Sequence, residues 1–248
     1  LKSCESNLTN PFQSQIERWK SAPIESPAEA AKRAERVAER QAAENSQRRG
    51  NAISVLQSQV GVRYSKCTLK GFTLAEDGDI RREQETVLSR ITDYRDSLRD
   101  RIEEGAGLFL FGPAGTGKDH LLSAVMFDAV RLDFRVSWFN GQDLFGKFRD
   151  VIQKKTSERE VMRTLIEPHV LALSDPIPPT GELTPFQQTT LFRAIDRRYR
   201  DCKPTWLTAN IATGGEAEAR LGVQLFERLK HGALCLPCNW PSHRVSRR

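Results

Sequence analysis

The chain has 248 residues, 38% hydrophobic and 28% charged, enough for one domain of ordinary size with an appendage. No apolar run approaches membrane-spanning length and the first residues lack a signal-peptide pattern, so the sequence predicts a cytoplasmic protein with no membrane partner. A net charge of +6 suits a nucleic-acid partner, and five cysteines, an odd number, argue against a disulfide framework.

Taken in order, Asn10-Pro11-Phe12-Gln13 offers a helix start with an N-cap and a proline at the first helical position. Phe12, Ile16 and Trp19 then share one face, suited either to core packing or to docking a partner protein. Ser26-Pro27-Ala28-Glu29 repeats the capping arrangement and opens a longer helix to about Arg49, with Val37 its only large apolar residue. Such a composition favours helix and buries little, which reads as an arm. Gly50-Asn51 is expected to end it, before a short amphipathic piece carrying Ile53, Leu56 and Val60. The organisation expected is a helical N-terminal partner-binding extension over residues 1–64 and a nucleotide-binding domain over 65–248.

Residues 64–74 are expected to be extended, and Asp77-Gly78 to turn. Val87, Leu88, Ile91, Tyr94, Leu98 and Ile102 recur at helical spacing. Leu108-Phe109-Leu110-Phe111 then runs into Gly112-Pro113-Ala114-Gly115-Thr116-Gly117-Lys118-Asp119, and a helix follows. Strand, glycine-rich turn, lysine and helix in that order make a phosphate-cradling P-loop. The glycines allow close backbone approach, the freed amides and the helix N-terminus face an anion, and Lys118 adds a mobile charge. Asp119 stands where Ser or Thr ordinarily helps to hold magnesium.

Beyond it, Phe134–Phe139, His169–Leu173 and Thr205–Ala209 read as strands, alternating with helices, the last of them over Thr184–Arg200. The predicted fold is α/β, a parallel sheet with helices on both faces, whose site lies beyond the carboxyl ends of the strands. Ser174 and Asp175 end the third strand, where a P-loop protein keeps acidic groups for metal and water. Two registers are open: with Leu173 last, Ser174 replaces the metal acid and Asp175 is the water-activating group; one residue later, Asp175 is the metal acid and no catalytic carboxylate is left. Asn210 ends the fourth strand, placed to touch a γ-phosphate or to orient water, or simply to form a turn. Arg228, on a short helix in Leu225-Phe226-Glu227-Arg228-Leu229, reads by itself as a surface residue, or suits charge stabilisation from a neighbouring subunit. Arg193, Arg197, Arg198, Arg200 and Lys203 form a basic cluster, with Arg244, Arg247 and Arg248 at the end, either a nucleic-acid surface or solvated helix faces. His231, Cys235, Cys238 and His243 supply four zinc-ligand types at a spacing that matches no common template.

These motifs, with Asn239-Trp240-Pro241-Ser242-His243-Arg244 and the lead-in Tyr64-Ser65-Lys66-Cys67-Thr68-Leu69-Lys70-Gly71-Phe72, resemble the AAA+ ATPases of the DnaC/IstB type over residues 64–248. The resemblance implies ATP and Mg2+ as cofactors, with Gly112, Pro113, Ala114, Gly115, Thr116, Gly117, Lys118 and Asp119 on the nucleotide. It implies Asp175 and Asp119 near the metal, Asn210 as sensor-1, Arg228 as the arginine finger of a homo-oligomer assembled with ATP, and Arg244 as a further phosphate-sensing or structural arginine. Partners implied are single-stranded DNA and a replicative helicase delivered by slow ATP-timed release, or a transposase and duplex DNA, or nucleotide alone without hydrolysis. Two carboxylates near a triphosphate repel it unless a cation lies between, so magnesium and nucleotide affinity are expected to be coupled.

Overall fold

A computed structural model describes residues 26–153, 157–178 and 182–244. The N-terminal cap, with Phe12, Ile16 and Trp19, lies outside the described residues, as do Cys4, Arg247 and Arg248.

Two compact units divide the chain at Gln47 and Arg48. Of the first, residues 27–47 are helix, capped by Ser26 and Glu29: the Glu29 amide bonds Ser26 Oγ, and the Ser26 amide bonds Glu29 Oε2. The helix α1 (Pro27–Val60) continues unbroken through Gly50-Asn51, where the sequence predicts its end. A glycine inside a helix costs about 1 kcal/mol. Burial of Leu56 and Val60 in the second unit returns more, about 1.5–3 kcal/mol for each such side chain.

The second unit is built on five parallel strands: β1 (Leu108–Phe111), β2 (Val136–Asn140), β3 (Val170–Ser174), β4 (Thr205–Ala209) and β5 (Leu234–Pro237), in the order β2-β3-β4-β1-β5. Leu108 pairs with Trp206 on one side and Leu234 on the other; Ser174 pairs with Asn140 and Thr208. Residues of β3 and β4 are buried throughout, which is why they read as continuous apolar runs and not as alternations.

Alternate strand residues feed two cores. Leu108, Leu110, Val170, Ala172 and Trp206 face one layer, with α2 (Gly78–Asp96), α3 (Leu98–Glu103), α4 (Lys118–Arg131) and the end of α1. Phe109, Leu171, Leu173 and Leu207 face the other, with α5 (Gly141–Ile152), α6 (Glu158–Ile166), α7 (Pro185–Arg200), α8 (Gly214–Leu221) and α9 (Val223–Lys230). This is the expected α/β sheet with helices on both faces and a helical extension before it. The periodic stretch 87–102 is divided at Ser97 into α2 and α3. Thr184 caps α7 through a full capping box with Gln187.

Two groupings of residues that the sequence picks out come apart in the fold. The basic cluster is not one surface. Arg198 is wholly buried, its guanidinium donating to the carbonyls of Leu165, Pro168, His169 and Pro204. Its neighbours are paired: Arg193 with Glu158, Arg197 with Asp201, Arg200 with Asp196. The four zinc-ligand types do not converge either, and no metal-holding cluster of three His, Cys, Asp or Glu occurs among the described residues. Cys235 and Cys238 are three apart on an extended segment, so they face opposite layers: Cys235 packs on the α7–α9 side, Cys238 on the α4 side. His231 meets Tyr199 edge to face, and His243 meets Phe72 in the same way.

Candidate functional site

The carboxyl ends of β1, β3 and β4 open onto one cavity of about 730 Å³, lined by Ala114, Gly115, Gly117, Lys118, Asp119, Asp175, Asn210 and Arg244. That volume falls within the range of small-molecule sites, and the position is the one expected for a parallel sheet. Arg63, Tyr64, Cys67, His120 and His243 complete its lining.

The loop between β1 and α4 has left-handed backbone at Gly112, Gly115 and Gly117, with φ of 143°, 85° and 90°. Gly115 is needed twice over, since a Cβ there would also collide with Ser242. The loop is braced from behind by the chain's last described segment. Trp240 Nε1 donates to the Thr116 carbonyl at 2.8 Å, and the His243 amide to the Gly115 carbonyl at 2.9 Å. Phe72, against His120, His243 and Trp240, closes the same side. These braces escape sequence reasoning except as part of the family-like Asn239–Arg244 run.

Lys118 is almost fully buried. Its Nζ donates to the Gly112 and Pro113 carbonyls at 2.9 and 2.6 Å and to Asn210 Oδ1 at 2.9 Å. Burial pulls its ammonium below the usual lysine range, opposed by the nearby Asp175 carboxylate. Asn210 passes the connection on: its Nδ2 donates to Asp175 Oδ2 at 2.6 Å. Loop lysine, strand-end amide and strand-end carboxylate thus form one chain across three strands.

Asp175 lies just past β3 with φ of 45°, a conformation that a side-chain-bearing residue adopts at a cost of about 1–3 kcal/mol. Its backbone presses on α5 so closely that a Cβ at Gly141 would meet the Asp175 carbonyl. Burial pushes the Asp175 carboxyl up to about 6, with Asp119 adding repulsion and Lys118 and Asn210 holding it down. Its Oδ1 is buried without a hydrogen-bond donor among the described residues. A buried acceptor left so fits a cation or a bound water beside the phosphate loop.

Strand β3 runs one residue further than His169–Leu173, to Ser174. Ser174 Oγ donates to Asp119 Oδ1 at 2.8 Å, and Thr208 Oγ1 to the same oxygen at 2.8 Å. Ser174, not Asp175, is therefore the β3 residue facing the first turn of α4. In the sequence Thr208 is one more residue of a buried strand.

Arg228 stands elsewhere. Its Nε pairs with Asp196 at 2.6 Å, its guanidinium lies 4.8 Å from the Phe192 ring, and it lines a separate cavity with Tyr199, Lys203 and Gly105. The structure does not bring it to the phosphate loop of its own chain.

Residues 57–248 match the family described as IstB-like ATP binding protein. The ATP-binding protein of insertion sequence IS5376 from Geobacillus stearothermophilus is 27% identical over 180 residues, 70% of this chain and 65% of that protein. Among solved structures, the fold is similar to the DnaC helicase loader (22% identity, TM-score 0.61, 71% of this chain and 99% of that one). It is also similar to AMPPCP-bound DnaA from Aquifex aeolicus (19% identity, TM-score 0.55, 71% of this chain and 51% of that one). With its cavity built from a P-loop and the ends of neighbouring parallel strands, the chain belongs to the IstB-like ATP-binding protein family.

Proposed function

We propose that this chain is an ATP-dependent accessory protein of transposition, of the IstB type, in which bound ATP holds an assembly with a transposase on duplex DNA. The observation that carries the reading is the convergence of Lys118, Asp119, Asp175 and Asn210 on one cavity in a chain of this family. The sequence alone favours a helicase loader. Family and the IS5376 relative support transposition better, because the likeness to the solved loader is one of fold at 22% identity.

In this reading the backbone amides from Gly112 to Gly117 cradle the phosphates, aided by the positive end of α4. Lys118 neutralises them, and Asn210 fixes the lysine head against Asp175. Asp175 orients the attacking water and accepts its proton, for which a carboxyl raised toward neutrality is suited. Magnesium, when bound, offsets the charge that the triphosphate and two carboxylates would otherwise crowd together. Arg228 acts on the nucleotide of an adjacent protomer in an ATP-assembled homo-oligomer. Turnover is slow and serves as a timer for release.

The test is retention of partners by the tagged full chain from its host, with ATP, with ADP and with Lys118→Ala. ATP-dependent retention of a transposase on duplex DNA is the expected result. Retention of a replicative helicase on single-stranded DNA would return the loader reading. ATP bound without any phosphate release would leave a nucleotide-binding module, and no saturable ATP binding would end all three.

A further inference from the structure

P-loop ATPases hold magnesium with a hydroxyl from the residue after the loop lysine and a carboxylate from the end of a neighbouring strand. Here the residue after Lys118 is Asp119 and the strand-end residue facing it is Ser174, their side chains 2.8 Å apart. We propose that the two halves of the metal site have exchanged places. The carboxylate is supplied by the P-loop helix through Asp119 and the hydroxyl by β3 through Ser174, and of the two partners that suit the unpartnered Oδ1 of Asp175, a cation or a water, the exchange assigns it the water. The assignment rests on the nucleotide-binding role proposed above.

Three observations carry it. First, the pair conserves the chemistry of the site while reversing its origin: one carboxylate and one hydroxyl in contact, at the junction of α4 and β3. Second, Asp119 is fixed for the task. Ser174 and Thr208, both buried, donate to its Oδ1 at 2.8 Å, and Oδ2 has no donor among the described residues. A carboxylate anchored through one oxygen presents the other in a set direction, as the hydrogen-bonded carboxylates of metal sites do. Third, Asp175 is differently engaged. It accepts from Asn210, lies past the strand end in a left-handed conformation, and shares no hydrogen bond with Asp119 or Ser174. Thus Asp119 is not a defect in the loop that hydrolysis must survive; it compensates for the serine in β3. Strand β3 ends at Ser174, the register in which the sequence expects Asp175 to be the metal acid; because Ser174 meets Asp119, the exchange instead makes Asp119 the metal acid and Asp175 the water-orienting one.

The experiment is a transposition of the pair in the full chain: Asp119→Ser, Ser174→Asp and the double substitution, with Asp119→Asn as the near-isosteric control that keeps the oxygen acceptor. ATP affinity is measured by calorimetry with magnesium and with EDTA, and Mn2+ binding by electron paramagnetic resonance, with thermal melts to establish folding. In the unaltered protein, magnesium is expected to strengthen ATP binding. Asp119→Ser and Asp119→Asn lose about tenfold or more of that strengthening while binding in EDTA is equal or tighter, because a repelling charge is gone. Ser174→Asp weakens ATP binding about tenfold by setting a second carboxylate against the first. The double substitution returns the magnesium response to within about threefold of the original, with Mn2+ bound again. A magnesium response that survives Asp119→Asn, or a folded double variant no better than the worse single one, overturns the exchange and leaves the ATP-binding role intact. An unaltered chain that binds no ATP in either condition overturns both.

Discussion

Lys118 Nζ donates to Asn210 Oδ1 at 2.9 Å, so the head of the loop lysine is held by the end of β4. The same amide donates to Asp175, which makes Asn210 the joint between the group that meets phosphate and the group that would orient water. Asn210→Ala is expected to slow ATP turnover about 100-fold while changing ATP affinity less than about threefold, since fixed donors and acceptors matter most where charge moves. Single-turnover phosphate release beside equilibrium ATP binding checks this. A loss of affinity matching the loss of rate would make Asn210 a binding residue only.

Asp175 also has a signature in stability. Its carboxyl is raised by burial to about 6 from an ordinary 3.8, so the folded protein holds the proton more tightly than the unfolded chain between those values. Above pH 6 both states are ionised and the fold bears the cost of a buried carboxylate; below about pH 4 both are protonated and the cost is gone. Asp175→Asn is expected to stabilise the nucleotide-free, magnesium-free protein by about 2 kcal/mol at pH 7.5, the gain shrinking as pH falls from 6 toward 4. Denaturant melts of both proteins across that range measure it. A gain that does not change with pH would show that burial of charge is not its source.

Arg198 carries a structural prediction. Its fork meets carbonyls from the end of α6, the lead into β3 and the lead into β4, and so fastens the base of two strands. Arg198→Ala leaves those buried acceptors without donors and is expected to cost about 3 kcal/mol or more. Arg198→Lys restores little, because one ammonium cannot reproduce a planar fork. Urea melts of the three proteins decide, and full stability of the lysine variant would refute the fork argument.

That residue also shows what the sequence displayed and what it hid. Beside Arg193, Arg197 and Arg200 it reads as one charge among several, yet it falls three, four and seven residues after Ile195, Ala194 and Leu191, on the buried face of α7. Period, not composition, held the signal. The P-loop, β3 and β4 were legible because strands buried on both faces must be continuously apolar and the loop's chemistry allows few residue types. The length of α1 was hidden by Gly50, because local propensity is overruled wherever Leu56 and Val60 find a core. The contact of Asp119 with Ser174 and Thr208 was out of reach for a different reason. It joins residues 55 and 89 positions apart, and only the order of strands brings them together.

Arg228 is paired with Asp196 and lies over Phe192, away from the phosphate loop of its own chain. A role on a neighbour's nucleotide therefore requires the arginine to leave an ion pair that is 31% and 21% exposed and its place over the Phe192 ring, at a cost of about 1–2 kcal/mol. Arg228→Ala and Lys118→Ala are each expected to abolish turnover alone, the first for want of a trans-acting charge and the second for want of a phosphate ligand. Mixed in equal amounts, they form interfaces in which an intact loop of one chain faces the intact Arg228 of the other, and part of the activity returns. Phosphate release from the mixture at a concentration that sustains assembly measures this. Undiminished turnover by Arg228→Ala alone would show that the arginine serves the fold of α9 and not the chemistry.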